Sequence, residues 1–335
     1  MLNIRQQPRE ISGATEADLT DSLLTSNEPV VLRGLIASWP ACIAARTSNE
    51  SLVSYFKSFE NGKKVRVFSA PPEVKGRYFY NNALDGFNFN ARPQLFTQLL
   101  DELLALESSN QSESKYLGST AINAIMPGFR EQYELTPLSD KPIVSIWIGN
   151  HSRIAAHYDV TDNVACNVAG KREFILFPPE QMENLYIGPI DFTPAGQPAS
   201  LVDFHAPDFE AFPKFKTALE HALIAKLEPG DAIFIPSMWW HHVEGKSAFN
   251  VLVNYWWRQI GHHAGTPMDA MQHAILAIRD LPESQRLLWQ KQFEKYVFNP
   301  QEQAHIPENA RGILNKLDEQ SARMLRATLL NKLNR

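Results

Sequence analysis

A mainly β fold with flanking helices, its strands closed into a sandwich or barrel, is what this chain predicts, and three observations predict it. Between about residues 141 and 260, short apolar or alternating runs recur between Gly, Pro, Asn and Asp, the texture of closely spaced antiparallel strands. Seven such runs in one stretch suit a sandwich or barrel. The flanks differ: residues 1–140 mix strand and helix patterns, and after Gly265 the spacing becomes helical. With 335 residues, 44% of them hydrophobic, the chain can bury a substantial core in one large domain or two.

Taken in order, Glu28 to Gly34 reads as a β-branched strand closed by glycine, and Lys63 to Phe68 alternates like a charged edge strand. Leu95 to Leu106 carries helical apolar spacing. The seven core runs are Ile143–Ile148, Arg153–Tyr158, Asn163–Val168, Glu173–Phe177, Ala232–Ile235, Trp239–Glu244 and Asn250–Trp257. Ala169-Gly170-Lys171 reads as a tight hairpin turn. A proline- and aromatic-rich excursion fills 178–227, and a connection so long is expected to serve a site or cover one. With Phe87-Asn88-Phe89-Asn90 it is a candidate frame for a substrate groove, whereas Trp147, Trp239, Trp240, Trp256 and Trp257 read mostly as core. Thr266-Pro267 is a cap and first-turn proline, so the tail, 261–335, is expected to hold helices over Met268–Arg279, Pro282–Phe298 and Asn309–Leu333. In the last of these, Ala322, Leu325, Leu329 and Leu333 form an apolar stripe that would pack on its own domain or pair two subunits as a homodimer.

A formal net charge of −5, from 37 acidic and 32 basic side chains, gives no general positive field for nucleic acid. No apolar run is long enough to span a membrane, and the first ten residues lack a secretory signal's apolar core, so a cytoplasmic protein is expected. Two cysteines, Cys42 and Cys166, cannot build a disulfide framework or a cysteine zinc site. Any metal would fall to histidine and carboxylate, and ten histidines allow it.

His157-Tyr158-Asp159 is the sharpest local feature, because residues i and i+2 of a strand share a face and can hold one ion together. About eighty residues later a predicted strand opens with Trp239-Trp240-His241-His242 and supplies a third donor. Two imidazoles and one carboxylate form the facial set typical of non-haem iron(II), with positions left open, whereas zinc usually takes a closed tetrahedron or keeps one open position. Strand parity does not choose between His241 and His242, and His242-Val243-Glu244 is itself a His-x-acid pair; one of the two histidines faces away, to partner a neighbouring polar group.

These residues, with Leu176-Phe177-Pro178-Pro179, Val202-Asp203-Phe204, Pro207-Asp208, Phe212-Pro213, Pro229-Gly230-Asp231, Ile235-Pro236 and Val253-Asn254-Tyr255-Trp256, resemble the cupin-like Jumonji C (JmjC) oxygenases over about 28–260. The likeness is greatest to the branch of the asparaginyl hydroxylase of hypoxia-inducible factor and the bacterial cupin-like proteins. It implies a double-stranded β-helix (jelly roll) over 1–260, an entry segment to 140, a metal-binding core over 141–260, and iron(II) with 2-oxoglutarate as cosubstrate. It points to His241 rather than His242, giving His157, Asp159 and His241 as the catalytic metal ligands. By position Arg172 stands where the family has a lysine for the cosubstrate's far carboxylate, Tyr116 matches a tyrosine that helps bind it, and Asn163 and Asn254 match two asparagines near it. Ile154 replaces a threonine and removes a hydroxyl.

The implied reaction is hydroxylation of a C–H bond with 2-oxoglutarate converted to succinate and carbon dioxide. Relatives of this kind act on protein side chains, a transfer-RNA base or small molecules; a peptide side chain or a metabolite is expected here, because the acidic balance disfavours RNA. The rivals are a non-catalytic metal-binding cupin and a metal-dependent isomerase or dioxygenase that needs no 2-oxoglutarate.

Overall fold

The computed structural model describes residues 2–107, 113–138, 141–261, 263–300 and 304–334. The chain divides into two compact units, Met1–Arg258 and Gln259–Arg335.

The first unit opens with β1 (Arg9–Ile11), β2 (Val30–Leu32), β3 (Lys64–Ala70), β4 (Arg77–Tyr78), β5 (Asn90–Leu95) and β6 (Ser114–Ala121). Eight core strands follow: β7 (Ile143–Gly149), β8 (Ser152–His157), β9 (Asp162–Ala169), β10 (Arg172–Phe177), β11 (Leu223–Leu227), β12 (Ala232–Ile235), β13 (Trp240–Gly245) and β14 (Asn250–Trp257). Nine strands form one sheet in the order β1-β2-β12-β9-β14-β7-β6-β3-β5, and five form the other, β11-β10-β13-β8-β4. The core chain passes back and forth between the two sheets, which is the winding of a double-stranded β-helix, or jelly roll.

Period-two patterning explains the layers. One set of side chains, including Ala165, Phe174, Leu176, Ile233, Ile235 and Leu252, packs between the sheets. The alternate set on the larger sheet, Val164, Cys166, Phe234, Val251 and Val253, clusters with Cys42, Leu52, Phe56, Leu99 and Leu103 from the helices Pro40–Thr47, Asn49–Lys57 and Phe96–Leu106. β9 is therefore buried along its whole length. Each fully buried side chain of this kind stabilises the fold by about 1.5–3 kcal/mol.

Several sequence expectations are corrected. The excursion over 178–227 contains an eighth core strand, β11, and a short helix, Phe215–Glu220; Pro229-Gly230 marks the strand's end, but only His221 and Ala222 part its start from the helix, so no turn residue sets it off from what precedes it. Gly170 does not close a hairpin: β9 pairs with β12 and β14, and β10 with β11 and β13, so the turn carries the chain from one sheet to the other. β3 is internal, flanked by β5 and β6. The outer place belongs to β5, where Pro93 lacks the N–H an inner strand would need. β8 stops at His157, short of the expected Tyr158.

In the second unit Pro267–Ile278 is capped by Thr266, whose side chain accepts from the Asp269 N–H. Glu283–Phe293 runs on into a wider turn at Glu294–Phe298. The last helix starts at Glu319 rather than Asn309, because Asp318 forms a reciprocal cap with Ser321 and Gly312 adopts φ +56°. Among the described residues of this unit only Ala322 is buried. No helix among the described residues is long and apolar enough to cross a membrane.

Candidate metal centre

His157 ends β8, Asp159 lies two residues beyond it, and His241 is the second residue of β13, directly opposite His157 in the ladder. One ligand-capable atom from each lies within 4.8 Å of the other two. The imidazole centroids are 4.5 Å apart, and His241 Nε2 is 3.7 Å from Asp159 Oδ2. Both rings are oriented in the same way: Nδ1 of His157 pairs with the Ala155 carbonyl and Nδ1 of His241 with the Trp239 carbonyl, each at 2.9 Å. A carbonyl can only accept, so each Nδ1 carries the proton and each Nε2 keeps its lone pair for a metal. Burial, and then the neighbouring His157, push the His241 imidazole below its ordinary value despite the opposing Asp159 charge. It is neutral at pH 7, the state a ligand requires.

The loop carrying Asp159 is clamped to the turn before β13. Met238 N–H donates to the Asp159 carbonyl at 2.9 Å, Ser237 N–H to Asp162 Oδ1 at 2.9 Å, and Ser237 Oγ to the Val160 carbonyl at 2.8 Å. The two segments that contribute donors are thus held to each other, not only to their strands.

His242 faces the opposite side of the sheet. Its Nε2 meets Glu244 Oε1 at 2.9 Å, its ring stacks on Phe204 at 4.7 Å, and His205 and Lys246 share the same carboxylate at 2.6 and 2.8 Å. Burial alone would raise the Glu244 carboxyl; the hydrogen bonds from His242 and Lys246 overcome it and hold the group well below the usual carboxylate range. A register shift between His241 and Val243 marks the irregularity where the adjacent histidines part.

The three candidate ligands open into a cavity of about 720 Å³ inside the jelly roll, within the range of small-molecule sites. Its lining includes Tyr116, Asn163, Arg172 and Asn254, so all seven sequence-nominated residues share one space. Arg172 is only 6% exposed; its hydrogen bond runs to Asn167 Oδ1 at 3.4 Å, and among the described residues no carboxylate pairs with it. Burial lowers the guanidinium to about 10, so it is still a cation at neutral pH. A buried cation without an acid partner is a site for an anion. Tyr116 is pushed up by burial, stays a neutral phenol, and stacks on Trp147 at 6.0 Å. Ile154 also lines the cavity, as the apolar wall that its replacement of the family's threonine implies.

Asn163 and Asn254 have a definite arrangement: Asn254 Nδ2 donates to Asn163 Oδ1 at 2.7 Å, and Asn163 Nδ2 to Asp159 Oδ2 at 3.4 Å. Sequence reading missed Trp256 as a site residue; its indole N–H donates to Asp159 Oδ2 at 3.1 Å. Its period-two placement with Asn254 on β14 was the available signal. It also missed Tyr78 and Trp147, whose Oη and Nε1 are buried in the cavity wall with no hydrogen-bond partner among the described residues, as is Asn254 Oδ1. Three orphaned polar atoms beside an unpaired guanidinium fit a polar, anionic small molecule.

A jelly roll that holds two histidines and an aspartate over such a cavity defines a cupin-type protein. A family model described as a cupin-like domain matches residues 16–263, and the chain belongs to that family. It is similar to "tRNA wybutosine-synthesizing protein 5" of Gallus gallus, 28% identical over 336 residues that span 91% of this chain and 99% of that one. The namesake of Danio rerio is 33% identical over 134 residues, 39% of this chain and 38% of that one. "Lysine-specific demethylase JMJ31" of Arabidopsis thaliana is 32% identical over 116 residues, 34% of this chain and 21% of that one.

Proposed function

We propose that the protein is an Fe(II)- and 2-oxoglutarate-dependent oxygenase that hydroxylates a C–H bond. The observation that carries this reading is the pairing of two elements in one cavity: three converging donors with both Nε2 lone pairs free, and an unpaired buried guanidinium at Arg172. His157, Asp159 and His241 would hold iron, and their grouping leaves coordination positions for other ligands. Arg172, with the Tyr116 hydroxyl, would bind the far carboxylate of 2-oxoglutarate; the planar fork of arginine suits a carboxylate bidentately. Iron with 2-oxoglutarate supplies the oxidising power that activates dioxygen. The chain's own part is positioning: Trp147, Trp256, Leu252 and Phe174 wall the cavity, exclude water, and limit which substrate bond comes near the metal.

For the substrate we propose a peptide side chain or a small metabolite, in keeping with the net charge of −5. A transfer-RNA base is the second reading, favoured by the match along 99% of a relative named for tRNA wybutosine synthesis. The same reading puts the protein in the cytoplasm, where its two buried, unbridged cysteines stay reduced.

The test is anaerobic titration of the purified protein with iron(II) and then 2-oxoglutarate, watching for the visible charge-transfer band of a chelated keto acid. The band should form in the wild type and be absent in Asp159→Ala. Iron bound without a band would sink the 2-oxoglutarate assignment and return the protein to the metal-binding cupins that act without it. A positive result leads to peptide, metabolite and tRNA screens scored by succinate release.

A further inference from the structure

We infer that Trp256 is a positioning residue for the metal centre, fixing the Asp159 carboxylate through its indole N–H with Asn163 and Asn254 as a second arm; this rests on the metal-centre reading above. The three candidate ligands are not held alike. Each histidine is fixed by the carbonyl two residues before it on its own segment, at 2.9 Å. Asp159 lies beyond the end of β8, where no strand ladder orients its side chain. Its Oδ2 instead accepts from two neighbouring strands: Trp256 Nε1 on β14 at 3.1 Å and Asn163 Nδ2 on β9 at 3.4 Å.

Both donors are themselves fixed. Trp256 sits opposite Asn163 in the β14–β9 ladder and opposite Ile143 in the β14–β7 ladder, so its backbone is held on both sides. Its ring stands edge-on to Trp147, with centroids 5.8 Å apart and planes at 88°. The Asn163 amide is turned the right way by Asn254, which donates to its oxygen at 2.7 Å and leaves its nitrogen free to face Asp159. Neutral donors suit this task. An indole N–H only donates, so it orients the carboxylate while leaving the negative charge for the metal; a lysine or arginine there would compete for that charge.

Trp256→Phe keeps the ring in the wall and removes only the donor. Cobalt(II) serves as the probe, because its visible d–d bands report coordination geometry directly and need no turnover. Titrating the full-length protein, the substitution should weaken cobalt binding about 10–100-fold and alter the band positions or intensities. Asn163→Ala, which removes the longer bond, should move both in the same direction by less, and it carries the test if Trp256→Phe does not fold by circular dichroism. Unchanged affinity and spectrum overturn the inference. So does weaker binding with an unchanged spectrum, since that reports general loosening rather than a reoriented ligand. A wild type that takes up no cobalt overturns the metal-centre reading itself, and this inference with it.

Discussion

Arg172 shows how much one residue can decide. A guanidinium only 6% exposed and without an acid partner is costly to bury unless something anionic meets it. Replacing it with glutamine keeps a donor but removes the charge, and charge-assisted hydrogen bonds are worth about 1.5–3 kcal/mol. Arg172→Gln should therefore weaken 2-oxoglutarate binding about 10–100-fold while iron binding stays at the wild-type level, both read in the same anaerobic titration. Equal loss of iron would show that the residue supports the fold rather than the cosubstrate. At this scale much of the site was legible: His157 and Asp159 announce themselves by spacing, and Arg172 by its place in a family pattern. The division of labour between His241 and His242 was legible only through the family likeness, because parity makes them equivalent until the Glu244 carboxylate and the Phe204 ring claim His242. Trp256 reads as a core aromatic from its strand position; that its N–H is used can be seen only once β8 and β14 are brought together.

Among the elements, the turn between β9 and β10 bears the greatest constraint. Gly170 has φ +73°, and a Cβ there would lie 2.4 Å from Asn250 Oδ1 and 2.5 Å from the Phe249 carbonyl. Residues with side chains pay about 1–3 kcal/mol for such backbone conformations before any clash is counted. Gly170→Ala should lower stability by at least about that amount in urea unfolding followed by circular dichroism, and an unchanged midpoint would show that the turn relaxes freely. The sequence marks this turn clearly and misidentifies what it joins. Glycine reports the local dihedral, whereas the residues that pair with β9 and β10 lie 47 or more positions further along the chain. β11 was missed for a related reason: five residues with no turn signal before them look like connection until β10 pairs with them.

For the molecule as a whole, the two units differ in how they meet water. The jelly roll has a continuous core, but Gln259–Arg335 leaves Leu276, Leu288, Phe298, Ile313 and Leu330 all more than 60% exposed. Apolar surface on this scale usually marks an interaction site. We propose that the second unit pairs with a second copy of itself, the homodimer its leucine stripe suggested. Changing Leu325, Leu329 and Leu333 together to glutamate should convert a dimer to a monomer by light scattering, and an unchanged mass would remove the idea.

The sequence by itself determined the alternation of strands, the helical tail and the His-x-Asp pair, which follow from local period and turn chemistry, and its likeness to a known family implied the jelly roll. Only the tertiary structure decided which strands lie side by side, what His242 meets on the far side of its sheet, that Arg172 is buried with no acid partner among the described residues, and that an indole from β14 reaches Asp159. The reason is physical. Backbone dihedrals and side-chain parity are set within a few residues, while hydrogen-bond partners and burial depend on segments that meet only when the two sheets close on each other.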